Sequence, residues 1–419
     1  MIWYLLLIVG IATLLYAAVP AVGAFVARGQ WRTFRRTIVA ASRYPSATPA
    51  AVGREHAPTV GFHRFFGSLE AIQGNDRIWI TNGRFSLAAD LRGTRVYVIP
   101  EADGGQGAPG GNAPGAPEDE RAAADSEIRS VPWSRIFSLP EGTPVFVGGA
   151  LFAEDGRGVF RDRRRTRLLV ILHDCPREAI LPRAIGSGRQ RNEFMNSFTL
   201  PSVAIGSLSL FLLSFSLLAL HEPLLAVASL TAGLAPFTPF LPPGVPLYFA
   251  YRRYWKKARS MRAQRDVVRL PLRYFPPSQG GIRKPRATLL PDMEPYLMIP
   301  GTVSEGDPNA IVSGGERIEL PPGMRRIDVD LPARRGGRRT AVGDCVAFTA
   351  YREDGGELRV EKPADPMADQ VLVPGDPQAL SRASERTARE YEAISALFIL
   401  LDVALNLPLV FLLLSLLLR

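Results

Sequence analysis

Hydrophobic residues are concentrated in four long runs of this chain, and long polar regions follow the first and the third run. A helix needs roughly 20 consecutive apolar residues to cross the hydrocarbon core of a bilayer. The segments that reach this length are residues 2–26, 199–220, 223–251 and 394–418. The pattern therefore predicts four transmembrane helices.

Within the polar regions, β-branched and aromatic residues alternate with polar ones in short runs bounded by turn residues. Such alternation is typical of strands with one buried face. We expect strands at residues 65–72, 77–81, 95–99, 145–152 and 168–172, and again at 296–304, 341–351, 357–361 and 370–373. The predicted fold class is membrane α-helical spans plus all-β soluble domains, with small β domains at 62–182 and 288–376.

The remaining segments have simple compositions. Residues 101–127 are rich in Gly, Pro and Ala, which predicts a flexible loop within the first β domain. Residues 27–61 and 252–287 are basic and are expected to lie beside the membrane as helix or linker. With 47% hydrophobic residues and a mean hydropathy of +0.05, the chain is too apolar for a disordered protein and too charged for an all-membrane transporter.

Basic residues predict the orientation of the spans, because Arg and Lys are retained on the cytoplasmic side. They follow the first and third spans and precede the second and fourth. The residues before the second span are Arg183, Arg189 and Arg191, and those before the fourth are Arg382, Arg386 and Arg389. No Lys or Arg precedes the first span, so we interpret it as an uncleaved anchor rather than a signal peptide. The expected protein is a multi-pass protein of the cytoplasmic (inner) membrane, with both termini outside and both large domains in the cytoplasm.

The net charge is +10, and basic residues are concentrated at the ends of the spans. We therefore expect these residues to bind an anionic lipid surface. The side chains expected to contact lipid headgroups are Arg28, Arg32, Arg35, Arg36, Arg252, Arg253, Lys256 and Lys257. The run Arg161, Arg163, Arg164, Arg165 and Arg167 could instead follow a nucleic-acid backbone, but stacking aromatic residues should accompany it. We therefore disfavour nucleic acid as a partner.

The two β regions share an order of landmarks that predicts a tandem repeat of span, β domain and span. The matched landmarks are Gly67 with Gly301, the turn at 154–156 with the turn at 353–355, and residues 179–182 with 371–374. A strand led in by Gly-Thr-Pro or Gly-Asp-Cys and continued through a hairpin resembles part of a small five- or six-stranded barrel of the OB-like kind found tethered to bacterial membrane proteins. The resemblance covers about twenty residues per copy and transfers no functional residue.

Prolines interrupt the third span, at Pro236, Pro239, Pro242, Pro243 and Pro246. One interpretation is a discontinuous helix that lines a cavity, as in transporters. The other is a short helix, an interfacial proline-rich bend and a second helix that enters the basic segment. We expect no Asp, Glu, Lys or Arg within any span to mark an ion or proton path, and therefore favour the second interpretation.

Candidate catalytic chemistry is sparse. The chain has two cysteines, Cys175 and Cys345, and four histidines, and the cluster His173, Asp174 and Cys175 is the one that could hold a nucleophile. Adjacent residues on a strand point to opposite faces, which favours a structural role at a strand end. We predict no catalytic residue, metal or cofactor, and disfavour an enzyme.

The leading hypothesis is a non-enzymatic membrane scaffold or accessory protein that presents two cytoplasmic β domains to a protein partner. The first alternative is a component of a small transporter or channel that uses the broken third span. The second is a membrane-attached enzyme that uses His173 or Cys175.

Overall fold

The structure is a computed structural model, and it describes residues 1–52, 61–99, 128–136, 138–154, 156–163, 167–187, 193–276, 282, 284–304, 306–329, 331, 344–354 and 357–417. The predicted loop at 101–127, residues Arg164, Arg165, Arg189 and Arg191, and the turn residues Asp155 and Gly355 lie outside the described residues. The chain divides into a helical unit, Met1–Thr33, Arg191–Met261 and Arg386–Arg419, and a β unit, Phe34–Gln190 and Arg262–Glu385.

Helices cover the four apolar runs, and two short helices lie outside them. The described helices are α1 (Ile2–Thr13), α2 (Val19–Ala41), α3 (Pro49–Val52), α4 (Ile180–Ser187), α5 (Thr199–Ala219), α6 (Pro223–Leu234), α7 (Gly244–Arg269) and α8 (Pro377–Leu417). A π-helical turn, Leu14–Ala18, joins α1 to α2. Four helical stretches are long and apolar enough to cross a membrane, namely Ile2–Ala41, Thr199–Ala219, Pro223–Phe240 and Pro377–Leu417. The prediction of four such helices is confirmed.

The third predicted span, 223–251, is divided at its prolines. Helix α6 ends at Leu234, a 3₁₀ segment covers Ala235–Phe240, and α7 begins at Gly244. Proline has no N–H to donate, so Pro239, Pro242 and Pro243 prevent one continuous helix. The backbone order is therefore a short helix, a bend and a second helix.

Small residues bring the helices of the helical unit together. A Cβ atom on Gly206 would lie 2.7 Å from the Tyr16 ring. The Tyr16 hydroxyl is 2.9 Å from the Ser207 hydroxyl, and the Ser229 hydroxyl donates to the Leu210 carbonyl at 2.8 Å. Close backbone approach and hydroxyl hydrogen bonds are the usual means of helix association in lipid.

Two sheets form the β unit. The strands of the first are β1 (Gly61–Gln73), β2 (Arg77–Thr81), β3 (Ser86–Asp90), β4 (Arg95–Ile99), β5 (Arg129–Pro132), β6 (Pro144–Glu154), β7 (Arg157–Arg161) and β8 (Leu169–His173). Strands β1, β2, β3, β7 and β6 pair in that order, and β6 returns to β1, which closes a five-strand barrel. Its core contains Phe65, Ile78, Ile80, Val147 and Phe160. The inward positions of β2 are the alternate apolar residues that the pattern predicts.

The second sheet contains β9 (Arg286–Leu289), β10 (Pro295–Ser304), β11 (Asp307–Ser313), β12 (Glu316–Glu319), β13 (Arg325–Arg326), β14 (Asp344–Asp354), β15 (Glu357–Glu361) and β16 (Val371–Val373). Strands β12, β11, β10, β14, β16 and β13 lie side by side, with β9 on β10 and β15 on β14. Between the described strands no pairing joins β12 to β15, so this sheet is open. Two β-rich sheets, one for each of the predicted β regions, are present.

The predicted match between residues 179–182 and 371–374 is wrong. Ile180 begins helix α4, whereas Val371–Val373 is strand β16. In the first sheet β6 pairs with β8, with Val145 opposite Leu172, as β14 pairs with β16, with Val346 opposite Val373. Apolar runs of three residues do not distinguish a helical turn from a buried strand.

Candidate functional site

A fully buried arginine joins the two sheets of the β unit. The side chain of Arg64, on β1, is 0% exposed, and its Nη2 lies 2.7 Å from Asp365 Oδ2. The same nitrogen donates to Asp292 Oδ2 at 3.2 Å, and Nη1 donates to the carbonyl of Ser42 at 2.9 Å. Asp292 lies between β9 and β10, and Asp365 lies between β15 and β16. We call Arg64, Asp292 and Asp365 the Arg64 cluster.

The segment that carries Asp365 also binds a second buried arginine. Asp369 forms an ion pair with Arg273, whose guanidinium also donates to the carbonyls of Leu270 and Met367. The hydroxyl of the fully buried Tyr296 donates to the Asp369 carbonyl. Five residues of chain, 365–369, thus fix one arginine of the first sheet and one beside the second.

Charge and burial determine the protonation of these groups. Burial lowers the pKa of Arg273 and the neighbouring Asp369 charge raises it, and the net shift is upward. Burial and the Asp369 charge together hold the pKa of Tyr296 well above its usual value. Arg273 therefore stays cationic and Tyr296 neutral over the ordinary pH range. The arrangement stabilises a fixed geometry rather than supplying a proton donor or a nucleophile.

A second polar cluster lies in the helical unit at the bend after α6. Thr238 Oγ1 is 3.0 Å from Asp402 Oδ2, and Asn406 Nδ2 donates to Asp402 Oδ1 at 2.6 Å. The relative exposures of Thr238, Asp402 and Asn406 are 1%, 2% and 0%. Asp402 and Asn406 are one turn apart on α8, so they share a helix face. We call these three residues the Asp402 cluster.

The Asp402 cluster corrects the assignment of the spans as free of ionisable residues. Asp402 lies inside the fourth predicted span, 394–418, and Asn406 follows it there. An ionisable residue in a membrane-crossing helix is costly and for that reason indicates function. Asp402 is a single acidic residue between long apolar runs, so the span remains strongly apolar on average.

The side chains expected to contact lipid headgroups are mostly exposed. Arg28, Arg32, Arg36, Arg252, Arg253, Lys256 and Lys257 are exposed. Arg28 also forms an ion pair with Glu193, and its guanidinium lies 5.5 Å from the Phe194 ring centre. Arg35 is half-buried, with its Nη2 2.7 Å from Asp266 Oδ2. Arg28 and Arg35 are thus paired with carboxylates of the protein, which leaves less of their charge for lipid headgroups.

His173 and Cys175 do not form an activated nucleophile. His173 ends β8 and is buried, and its Nδ1 is 2.9 Å from the Cys175 carbonyl oxygen. A carbonyl only accepts, so Nδ1 carries the proton. Burial lowers the pKa of His173 and raises the pKa of the Cys175 thiol, which keeps that thiol uncharged. Burial also raises the pKa of Cys345, to about 11.

Arg161, from the basic run considered for nucleic acid, has acidic partners. Arg161 Nη2 donates to Glu154 Oε2 at 3.0 Å, and its Nε is 3.4 Å from Asp90 Oδ2. A guanidinium that is paired with carboxylates has less charge to offer to a phosphate. Arg163 is exposed, and no ion pair involving it is present among the described residues.

Comparisons of the chain with protein-family models, with curated proteins and with solved structures found no match.

Proposed function

We propose that the chain is a non-enzymatic scaffold or accessory protein of a bacterial-type cytoplasmic membrane, whose two β domains present one joint surface to a protein partner. The Arg64 cluster carries this proposal. A buried cation between carboxylates of the other sheet penalises any separation of the domains, because separation would leave unpaired buried charges. A fixed pair of domains is suited to binding a partner that contacts both.

We further propose that the two domains are OB-like repeats. The support is the matching pairing around β6 and β14, each of which pairs with one long strand along one edge and with two short strands along the other. Gly67 and Gly301 add a detailed likeness. A Cβ on Gly67 would lie 2.5 Å from the Thr81 carbonyl, and one on Gly301 would lie 2.6 Å from the Val312 carbonyl. Both glycines allow the neighbouring strand to approach closely.

The cytoplasmic position of both domains and the lipid contacts remain part of the proposal. The exposed basic side chains of α2 and α7 support it, because each basic residue near an anionic leaflet contributes on the order of 1 kcal/mol. A partner in this arrangement is a membrane-associated or cytoplasmic protein.

The surface of the second domain offers an apolar contact point for such a partner. Leu289 and Met293 are 56% and 73% exposed and lie on the hairpin of β9 and β10. Ile72, on β1, is 37% exposed. No other large apolar side chain is exposed within the described part of the β unit. We propose that the Leu289 and Met293 hairpin contacts the partner.

A photo-crosslinking amino acid at position 293 tests the scaffold function in native membranes. We expect one protein to be cross-linked reproducibly, and its yield to fall at least several-fold when Leu289→Gln is added. The matched change Ile72→Gln should leave the yield unchanged. Repeated absence of a specific cross-linked protein, or equal yields for the two glutamine variants, would contradict the proposal.

The broken third span favours a second candidate, a component of a small transporter or channel. The observation is that the bend between α6 and α7 contacts the buried Asp402, a combination typical of ion pathways through membranes. Purified protein in liposomes would then conduct protons or monovalent cations, and Asp402→Asn would abolish the flux. Liposomes without flux above the protein-free level would remove this candidate.

A further inference from the structure

The Asp402 cluster contains more hydrogen-bond acceptors than donors. The Thr238 hydroxyl shares its single hydrogen between Asp402 Oδ2 at 3.0 Å and the Ala235 carbonyl at 2.9 Å. Asn406 Nδ2 donates to Asp402 Oδ1 at 2.6 Å and to the Thr238 carbonyl at 3.4 Å. Asn406 Oδ1 is buried and has no hydrogen-bond partner among the described residues. One oxygen of the cluster thus lacks a positive partner, which is costly in an apolar interior.

The cluster also contains a negative charge with no positive charge beside it. Both oxygens of Asp402 accept hydrogen bonds, which suits an ionised carboxylate. No ion pair between described residues includes Asp402. The four predicted spans, 2–26, 199–220, 223–251 and 394–418, contain no Lys, Arg or His. Because a buried charge needs an opposite charge nearby, the cluster calls for a cation from outside the chain.

Oxygen atoms of the cluster converge beside Gly244. Thr238 O and Asp402 Oδ1 both lie closer than 3.0 Å to the point where a Cβ of residue 244 would be, and Asn406 Nδ2 is 3.0 Å from it. A turn of the Asn406 amide about its bond to Cβ exchanges the nitrogen and the oxygen, and brings Oδ1 to these two oxygens. Carboxylate, amide and backbone carbonyl oxygens are the ligands that hard cations prefer.

The backbone at the cluster is also of a kind that binds monovalent cations. Helix α6 ends at Leu234, so the negative end of its dipole adjoins the 3₁₀ segment that carries Thr238. In secondary transporters, unwound carbonyls and the C-terminal ends of broken helices coordinate Na⁺ near the middle of the membrane. The bend after α6 offers both features to an ion at Asp402.

The single carboxylate determines the charge of the ion. A monovalent cation leaves the cluster neutral, whereas a divalent cation leaves a buried positive charge without a partner. No group of three or more His, Cys, Asp or Glu that could hold a metal ion is found in the part of the chain that the structure describes. The cluster therefore suits an alkali-metal cation and not a divalent or transition metal.

We propose that the Asp402 cluster binds one alkali-metal cation, Na⁺ or K⁺, through Asp402, the Asn406 amide oxygen and the Thr238 carbonyl. Without the ion, the N–H groups of Asn406 face these oxygens; with it, the amide turns and its oxygen becomes a ligand. The bound ion links α8 to the bend after α6. The inference goes beyond the scaffold function and stands whether or not the protein conducts ions.

Retention of radioactive sodium by the full-length protein in detergent tests the site. We expect saturable binding that approaches one ion per chain and that choline, which is too large for the cluster, does not displace. Asp402→Asn removes the charge and should abolish binding. Asn406→Leu removes one oxygen ligand and should weaken the affinity on the order of tenfold. The control Glu222→Gln removes an exposed acidic group of the helical unit and should bind as the unmodified protein does.

Competition with K⁺ identifies the ion, since the stronger competitor is the one that the cluster prefers. If Asp402→Asn is not monodisperse on size-exclusion chromatography, Asn406→Leu and the unmodified protein decide the question. No saturable binding of sodium or potassium by the unmodified protein, or full affinity in either variant, would overturn the proposal. Because the measurement needs neither a partner nor an ion gradient, its outcome is separate from those of the cross-linking and flux experiments.

Discussion

Replacing Arg64 by methionine is expected to destabilise the β unit by about 3–5 kcal/mol, because it leaves the buried Asp365 carboxylate without its cation. The chain length of methionine fills part of the space, so the loss comes from unpaired charge more than from a cavity. Asp292 and the Ser42 carbonyl lose a donor as well. The change in the free energy of unfolding is measured by urea unfolding of the full chain in detergent. Protease cleavage within the β unit reports the unfolded fraction at each urea concentration.

Two variants make the Arg64 experiment specific. Arg64→Met combined with Asp365→Leu removes both buried charges and should recover most of the lost stability, since apolar pairs can replace buried ion pairs. Arg92→Met removes an arginine that is 73% exposed and is expected to change stability by about 0–1 kcal/mol. A result for Arg64→Met as small as that for Arg92→Met would show that the cluster does not hold the domains together.

Much of the β structure follows from local patterns. The predicted strands at 77–81, 95–99 and 357–361 coincide with β2, β4 and β15. Alternating apolar residues lead to these strands because one face is buried. Strand β3, Ser86–Asp90, was missed because Leu87, Ala88 and Ala89 form a continuous small apolar run instead of alternating. Its parallel pairing with β7, one of the pairings that the closed barrel needs, depends on contacts far apart in sequence.

The Arg64 cluster could not be predicted from the sequence. Arg64 lies in a run of aromatic residues, where a single arginine normally indicates a solvent-facing position of a strand. Its partner Asp365 is about three hundred positions further along, and one sequence carries no signal that joins them. The Asp402 cluster differs, because Asp402 and Asn406 within an apolar helix are visible from composition alone. Only their contact with Thr238 required the structure.

Gly244→Ala is expected to destabilise the helical unit, and by more than Gly10→Ala on α1. The new Cβ would be closer than 3.0 Å to the Thr238 carbonyl oxygen and to Asp402 Oδ1. The Thr238 carbonyl is a backbone atom that already accepts from the N–H of Leu241 at 3.0 Å, so it cannot move without breaking the bend. Overpacking of this kind costs about 1–3 kcal/mol.

The fraction of monodisperse protein after heating in detergent, measured by size-exclusion chromatography, reports the effect of Gly244→Ala. The matched variant is Gly10→Ala on α1, where a Cβ would meet nothing within 4 Å. Alanine is the better helix former, so Gly10→Ala should leave stability unchanged or raise it. Equal heat resistance of the two variants would mean that α7 does not pack against the Thr238 carbonyl. The bend would then be open enough for water to reach Asp402.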